Sequence, residues 1–418
     1  MTFQTVRGTK DLLGCDYAHA QHITDVCFKT TALYGFQPMA TPVIEFSDVF
    51  KRLGDTSDVV SKEMYTFLDR GGESLTLRPE GTAPVVRAVI SNGLTQTMPL
   101  KLSSVGPMFR YERPQKGRQR QFHQFGIEFF GPDTPLADAE VIIMAQHVLE
   151  NLGIKSGADS GLTLRLNSLG CVDSRQTYTA ALVAYLTPYQ ASLSPESQLR
   201  LTKNPLRILD SKDNGDQEIL KNAPVFSDYW TPAATAHFRS VCARLDDSGV
   251  AYTVDQTVVR GLDYYCHTAF EFTHVDLGAQ GAVLAGGRYN GLSENLGGPE
   301  MAAIGWALGI ERVQILTAAP EKKRPLAFVL PVSETDHDHA FDVAHQLRQQ
   351  GVQVQMLYSG SIKKQLKKVS VLRAKHAIFC GGSEQQQGGA LVKNLDTSHQ
   401  EFIHFTHLAS FLRQEAKG

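Results

Sequence analysis

The sequence predicts an α+β domain built on an antiparallel sheet flanked by helices, carrying a helical insertion, and followed by a small separate α/β domain. Three observations carry that prediction. Between residues 74 and 130 the pattern runs strand, helix, strand, turn, strand, ending in a long hairpin. From Ser168 to about Ser248 alternation gives way to helical periodicity, as in Tyr178-Thr179-Ala180-Ala181-Leu182-Val183, and strand patterns resume at Ala251. A charged, proline-bounded stretch, Ala319 to Pro325, then precedes alternating strand and helix patterns. At 418 residues the chain exceeds one compact domain. The expected division is 1–320, with the insertion at about 168–248, and 325–418.

Each element has a local cause. Asp16 to Tyr34 reads as a helix, with Ile23, Val26, Cys27, Thr30 and Leu33 near one face and Gly35 as its stop. Pro38 and Pro42 punctuate the extended stretch that follows. Ser74 to Arg78 alternates, with Leu75 and Leu77 on one face. Thr82 suits a helix N-cap, and Pro84 falls in the first turn, where its missing N–H costs little. Beyond the linker, Ala327–Leu330 reads as a strand, Thr335–Gln350 as a helix and Val352–Leu357 as a strand. A basic helix, a strand at Ala377–Cys380, a further strand pair and a last helix follow. That alternation predicts a largely parallel sheet.

Composition sets outer limits. The 42% hydrophobic and 20% charged content is that of an ordinary globular protein. No apolar run is long enough to cross a bilayer, and the N-terminus lacks a signal pattern, so cytoplasmic residence is the default expectation. The six cysteines are scattered without a C-x-x-C pair, which argues against a zinc ribbon or disulfide framework; buried free thiols are expected. With a net charge of -2, any RNA contact must use local patches.

The hairpin from Gly106 to Phe130 concentrates the chemistry. Period two puts Gln124, Gly126 and Glu128 on one face of its second strand and His123, Phe125, Ile127 and Phe129 on the other. Two polar groups flanking a residue without a side chain leave room for a small ligand; a solvated strand face is the competing account. The turn region carries Arg110, Arg113, Lys116, Arg118 and Arg120 against one acid, Glu112. Such a loop can grip phosphates, since arginine offers forked hydrogen bonds to their oxygens. A surface ion-pair network is the alternative.

These residues resemble a family. Gly106 to Arg113, with Gln121-Phe122-His123-Gln124, looks like motif 2 of the class II aminoacyl-tRNA synthetases, preceded by Thr76-Leu77-Arg78-Pro79-Glu80-Gly81-Thr82. Gly305 to Arg312 resembles motif 3, with Ala307 in place of the middle glycine. Phe36 to Glu45 resembles motif 1, the dimer-interface element. Val259-Arg260-Gly261-Leu262-Asp263-Tyr264-Tyr265 and Ala285-Gly286-Gly287-Arg288-Tyr289-Asn290-Gly291 look like the two signature peptides of histidyl-tRNA synthetases. Asn290 stands where an aspartate is usual, and Gly14 replaces a common proline.

The resemblance implies a catalytic domain of that class and a C-terminal anticodon-binding domain, in a cytoplasmic homodimer. It also implies ATP and Mg²⁺, L-histidine and tRNA(His) as substrates and cofactor. Arg260 and Arg110 are the implied catalytic residues, Arg110 on the α-phosphate, with Arg312 and Gly309 binding ATP and Arg312 placed over adenine. Glu80, Thr82 and Gln124 are the implied partners of the histidine ammonium, with Glu128 and either Tyr264 or Tyr265 on the imidazole nitrogens. Period two would put Arg260 and Tyr264 on one strand face. Gly126, Gly286 and Gly287 would let backbone approach the ligand, a tight turn being the alternative for the glycine pair. A helix-start ion pair with Glu311 or another acid is the alternative for Arg312, and His123 reads as structural.

For tRNA, the implied contacts are Arg113 and Gln115 in the turn and Lys363, Lys364 and Lys367 in the second domain. No side-chain metal ligands are implied. The competing identity is a non-catalytic, histidine-sensing regulatory relative of ATP phosphoribosyltransferase. That protein lacks the catalytic arginine and the second domain, and Arg260 and the segment from Ala327 onward weigh against it.

Overall fold

The computed structural model describes residues 3–52, 59–115, 117–157, 160–259, 264–321 and 324–416. The expected roles of Arg260 and of Lys116 lie outside the described residues. The chain forms two compact units, Met1–Pro320 and Glu321–Gly418.

An eight-stranded sheet organises the first unit. Its spatial order is Gln37–Met39, Leu100–Phe109, Gln121–Phe130, Ala303–Gly309, Ala282–Arg288, Cys266–His274, Leu162–Ser168 and Thr253–Val254. The five inner pairings are antiparallel and the two outermost are parallel. The long hairpin sits inside this sheet, with Ser104 opposite Gly126 and Leu102 opposite Glu128. Phe125, Ile127 and Phe129 point into a core shared with helices Cys15–Ala32 and Pro135–Asn151, so the apolar face is where alternation placed it. The second of these helices begins with Thr134 as N-cap, its hydroxyl oxygen accepting from Ala137 N, and with Pro135 at the position where an absent N–H is tolerated. The first spans Cys15–Ala32, ending two residues before the expected Tyr34, and Gly35 follows at φ 84°.

A second, three-stranded sheet joins Ile44–Phe46, Ser74–Leu77 and Tyr65–Leu68. Here Leu75 and Leu77 share a face, as alternation places them, but it is not the buried one. Thr76 is the buried residue, its hydroxyl 2.8 Å from Ser47 Oγ and 2.9 Å from Thr66 Oγ1, while Leu75 and Leu77 lie half-buried on the other side. Cross-strand register groups those two leucines with Ile44, Phe46, Tyr65 and Phe67 in an apolar face. Phe46 is 57% exposed there. A hydroxyl ladder satisfies itself inside, which frees the apolar face for other contacts.

The helical block is present as Val172–Leu186, Pro195–Lys203, Asn214–Leu220 and Pro232–Asp247. Tyr178 stacks on Phe226 at 4.1 Å, and the carboxylate of Asp216 accepts from Ser194, Ser197 and Ser211, tying the short helices together. Its last helix behaves differently: Phe238, Val241 and Leu245 belong to the core of the main sheet. The change of texture in the sequence therefore marks composition, whereas packing places Pro232–Asp247 with the core of the main sheet.

In the second unit the strand order is Val354–Met356, Ala327–Pro331, His376–Cys380, Gly389–Asn394 and Gln400–His404. Two pairings are parallel and two antiparallel, so the expected largely parallel sheet is a mixed one. The reason is connection length: helices His337–Gln349 and Ile362–Val371 cross over between parallel strands, while short turns can only reverse the chain. On the basic helix, Lys363, Lys364, Lys367 and Lys368 are exposed, and Gln365 and Val369 face inward. All six cysteines are free, but the expectation that they are buried holds only for Cys27 and Cys380; Cys15 is exposed and the other three are intermediate. Among the described residues no helix is long and apolar enough to cross a membrane.

Candidate active site

The polar face of the hairpin floors a cavity of about 240 Å³. Its lining brings together Glu80, Thr82, Arg110, Gln124, Gly126, Glu128, Tyr264, Tyr265, Gly309 and Arg312, which the sequence spreads over 232 positions, from 80 to 312. Arg113 and Gln115 are exposed and outside that lining. Lys363, Lys364 and Lys367 belong to the other unit.

One end of the cavity is acidic and dry. Glu80 and Glu128 are only 4% and 5% exposed. Glu80 Oε2 accepts from Thr82 N at 2.8 Å, and Oε1 from Ala83 N at 2.7 Å. The N-cap of helix Thr82–Ser91 is therefore not the Thr82 side chain, as expected; Thr82 is its first residue and the Glu80 carboxylate satisfies the free N–H groups. The Tyr264 hydroxyl donates to Glu80 Oε2 at 3.4 Å, and the Tyr289 hydroxyl donates to Glu128 Oε2. Burial raises both carboxyl pKa values, that of Glu128 to about 8, against the opposing pull of hydrogen bonds from Tyr289 and Thr82. Gly305 makes room for this: a Cβ there would lie 2.1 Å from Glu128 Oε2.

The other end is basic. Arg110 Nε donates to Pro79 O at 2.8 Å, its guanidinium lies 5.3 Å from the Phe122 ring centre, and no carboxylate pairs with it among the described residues. Arg118 Nη1 is 3.0 Å from Glu112 Oε2, an ion contact without hydrogen-bond alignment, so that buried oxygen has no hydrogen-bond donor. Arg312 donates to the carbonyls of Gly117 and Ala282. Burial, then the nearby Arg118 and Arg110, pull the Arg312 guanidinium below its usual pKa. The ion pair of Arg312 with Glu311 does not form. Glu311 instead accepts from His123, from both N at 3.0 Å and Nδ1 at 2.9 Å, which gives His123 the structural part expected of it.

One expectation fails on geometry. Gly286 and Gly287 do not line the cavity and form no turn; they lie within strand Ala282–Arg288. A Cβ on Gly286 would meet Gly305 O at 2.2 Å, and one on Gly287 would meet Thr268 O at 2.6 Å and the Tyr265 ring at 2.9 Å. Their absent side chains admit neighbouring strands and Tyr265. Tyr264 sits in a turn before strand Cys266–His274, and its expected common face with Arg260 lies outside the described residues. Sequence reasoning gave Tyr289 no part; the signal available was its place in the second signature peptide.

Residues 8–313 match the family model described as histidyl-tRNA synthetase, and residues 327–415 match that of an anticodon binding domain. The first match alone spans most of the chain. The chain belongs to the histidyl-tRNA synthetase family. It is 49% identical over 413 residues to the histidine–tRNA ligase of Rhodospirillum rubrum, covering 98% of each chain. With that of Wolbachia pipientis subsp. Culex pipiens it shares 48% identity over 405 residues, 96% of this chain and 98% of the relative. The solved apo histidyl-tRNA synthetase of S. aureus superposes with a TM-score of 0.82 at 34% identity, over 99% of this chain and 100% of that one. An α+β domain of the class II type with a separate C-terminal anticodon-binding domain is thus the architecture of this family member. The match over residues 327–415 also accounts for a unit that the regulatory-relative reading leaves without a task.

Proposed function

We propose that the two ends of the cavity divide the work of a histidine–tRNA ligase. The chain activates L-histidine with ATP to histidyl-adenylate and pyrophosphate, then transfers histidine to the 3′ end of tRNA(His). The observation that carries the division is one cavity holding two buried carboxylates at one end and three converging arginines at the other.

In the first step a histidine carboxylate oxygen attacks the α-phosphorus, the bond to the bridging oxygen breaks, and pyrophosphate leaves with the electron pair. Bringing a carboxylate to a polyanion requires cations that need no reorganisation. Arg110, anchored through Nε and lacking a carboxylate partner among the described residues, takes the α-phosphate. Arg312, with Gly309 beside it, receives the nucleotide, its guanidinium plane against adenine. Arg260 would add a second cation to the α-phosphate. At the acidic end, Glu80, Thr82 and Gln124 hold the α-ammonium, Glu128 accepts from an imidazole N–H, and Tyr264 or Tyr265 serves the other ring nitrogen. Gly126 leaves the floor open between them. In the second step a ribose hydroxyl of the tRNA end attacks the anhydride carbonyl and AMP leaves.

Mg²⁺ would enter with the nucleotide and would offset phosphate charge. The buried Glu112 Oε2, lacking a hydrogen-bond donor, is the oxygen suited to hold it. The apolar face of the three-stranded sheet, with Phe46 and Phe67 exposed, is the surface suited to a homodimer. Arg113 and Gln115 would meet the acceptor end, and the Lys363, Lys364 and Lys367 face the anticodon arm, in a cytoplasmic enzyme.

The test is ATP–pyrophosphate exchange by the purified protein with each amino acid in turn. Exchange with histidine alone is expected; no exchange, or exchange with another amino acid, refutes the reading.

A further inference from the structure

Tyr289 has a position that calls for a role. It is buried, its hydroxyl donates to Glu128 Oε2, and its ring meets those of Tyr264 and Tyr265 edge-on at 5.7 and 6.3 Å between centroids. Both flanks are fixed. On one side Arg288, wholly buried, donates to the Asp138 carboxylate through Nε and Nη2, and to Pro132 O and Asn290 Oδ1 through Nη1 at 3.1 and 3.2 Å. The Tyr289 backbone N donates to Ala303 O at 2.8 Å. On the far side of Glu128, the bare backbone of Gly305 leaves space for a carboxylate and for no side chain of its own.

We infer that Tyr289 is a positioning residue for histidine specificity: its hydroxyl occupies Oε2 of Glu128, so that the carboxylate presents its remaining lone pairs to the imidazole N–H. The inference rests on the reading of Glu128 as the imidazole contact. Its logic is one of matching donors and acceptors. A phenol this deeply buried stays neutral, its pKa pushed well above the ordinary value first by burial and then by the Glu128 charge. It therefore always has a proton to donate, and that hydrogen bond favours the ionised, accepting form of Glu128. Without the phenol the buried carboxyl holds its proton to higher pH, and a carboxylic O–H then meets an imidazole N–H, donor against donor. Arg288 and Asp138 keep the ring from following the ligand.

The experiment is histidine-dependent ATP–pyrophosphate exchange from pH 6.5 to 9.5 with the full chain, its Tyr289→Phe variant and its Glu128→Gln variant. Tyr289→Phe should raise the histidine KM by roughly 10–100-fold, the loss of one hydrogen bond to a charged group. The KM for ATP and kcat should stay within a few-fold. The acid limb of kcat/KM for histidine should move up by about one pH unit, because Tyr289 is among the groups that lower the Glu128 pKa. An unchanged histidine KM and limb overturn the proposal, as does a parallel rise in the ATP KM, which marks general damage. If Glu128→Gln binds histidine as the parent does, the Glu128 reading fails and takes this proposal with it. If only Tyr289→Phe is silent, the Glu128 reading stands alone. Should Tyr289→Phe not fold, 3-fluorotyrosine at position 289 keeps the ring volume and donates more strongly. It should move the acid limb down, and an unmoved limb overturns the proposal.

Discussion

At the inner end of the cavity every charged group is already engaged. Glu80 closes a helix terminus, Glu128 takes a tyrosine hydroxyl, and both are shut away from water. At the outer end Arg110, Arg118 and Arg312 converge with Glu112 as a nearby acid, and Arg118 and Arg110 add to burial in lowering the Arg312 pKa. The inner end selects by the placement of donors and acceptors, which a ligand either matches or leaves unpaired. The outer end works by charge, and any polyphosphate of the right reach gains from it. In the proposed reading, selectivity for the amino acid and power over the phosphate reside in different side chains.

The contrast yields predictions of decreasing size. Arg110→Ala should slow exchange by roughly 10²–10³-fold, the usual cost of losing one preorganised donor to developing charge. Calorimetric titration of histidine into that variant should give an unchanged affinity; a loss in step with the rate would mean that the two ends are not separable.

The inner end should also carry a stability cost that depends on pH. The folded-state pKa of Glu128, about 8, lies above the ordinary carboxyl value of 4.5, so the folded chain binds this proton more tightly. Its contribution to stability is full below pH 4.5 and is lost as pH rises through about 8. Glu128→Gln should therefore be more stable than the parent at pH 9, by roughly 2–4 kcal/mol, and nearly equal to it at pH 5. Urea denaturation at the two pH values measures this, and a difference independent of pH contradicts it.

A smaller effect is expected behind the site. Asn290 donates to Asp133 Oδ1 at 3.0 Å while its own Oδ1 accepts from Arg288 at 3.2 Å. Where relatives of this family are expected to carry aspartate, the amide avoids a clash with Asp133. Asn290→Asp should lower stability by about 1–2 kcal/mol, and adding Asp133→Asn should restore most of it. Additive losses in a double-mutant cycle would deny the coupling. Smallest of all, Lys363→Ala with Lys367→Ala should raise the KM for tRNA several-fold and flatten its salt dependence, leaving exchange untouched. Equal salt slopes would remove these lysines from the RNA surface.

Much of the cavity floor was legible because one strand writes it. Period two alone puts Gln124, Gly126 and Glu128 on a common face, and the pile of arginines beside a single Glu112 is visible without coordinates. Contacts between distant segments were not. Tyr289 reaches Glu128 across 161 positions, and nothing local to either residue announces it. Gly286 and Gly287 looked like ligand-facing glycines, yet the space they leave is filled by Gly305, Trp306, Thr268 and Tyr265 from neighbouring elements. Likewise Thr82 has the chemistry of a cap, but Glu80, two residues earlier, has the longer reach. In the three-stranded sheet, alternation puts Leu75 and Leu77 on one face. That the other face is buried follows only from the hydroxyls of Ser47, Thr66 and Thr76, which satisfy one another there. Helix Pro232–Asp247 reads like the insertion before it, and only packing assigns it to the main core.

The central claim is that the inner end reads histidine while the outer end holds ATP. Calorimetric titration of Glu128→Gln, first with L-histidine and separately with ATP, tests it most directly. With Tyr289 donating to the amide oxygen, the amide N–H₂ would face the imidazole N–H, and histidine affinity should fall by roughly 10²-fold or more. ATP affinity should stay within about twofold. Wild-type histidine binding, or an equal loss of both ligands, would contradict the account.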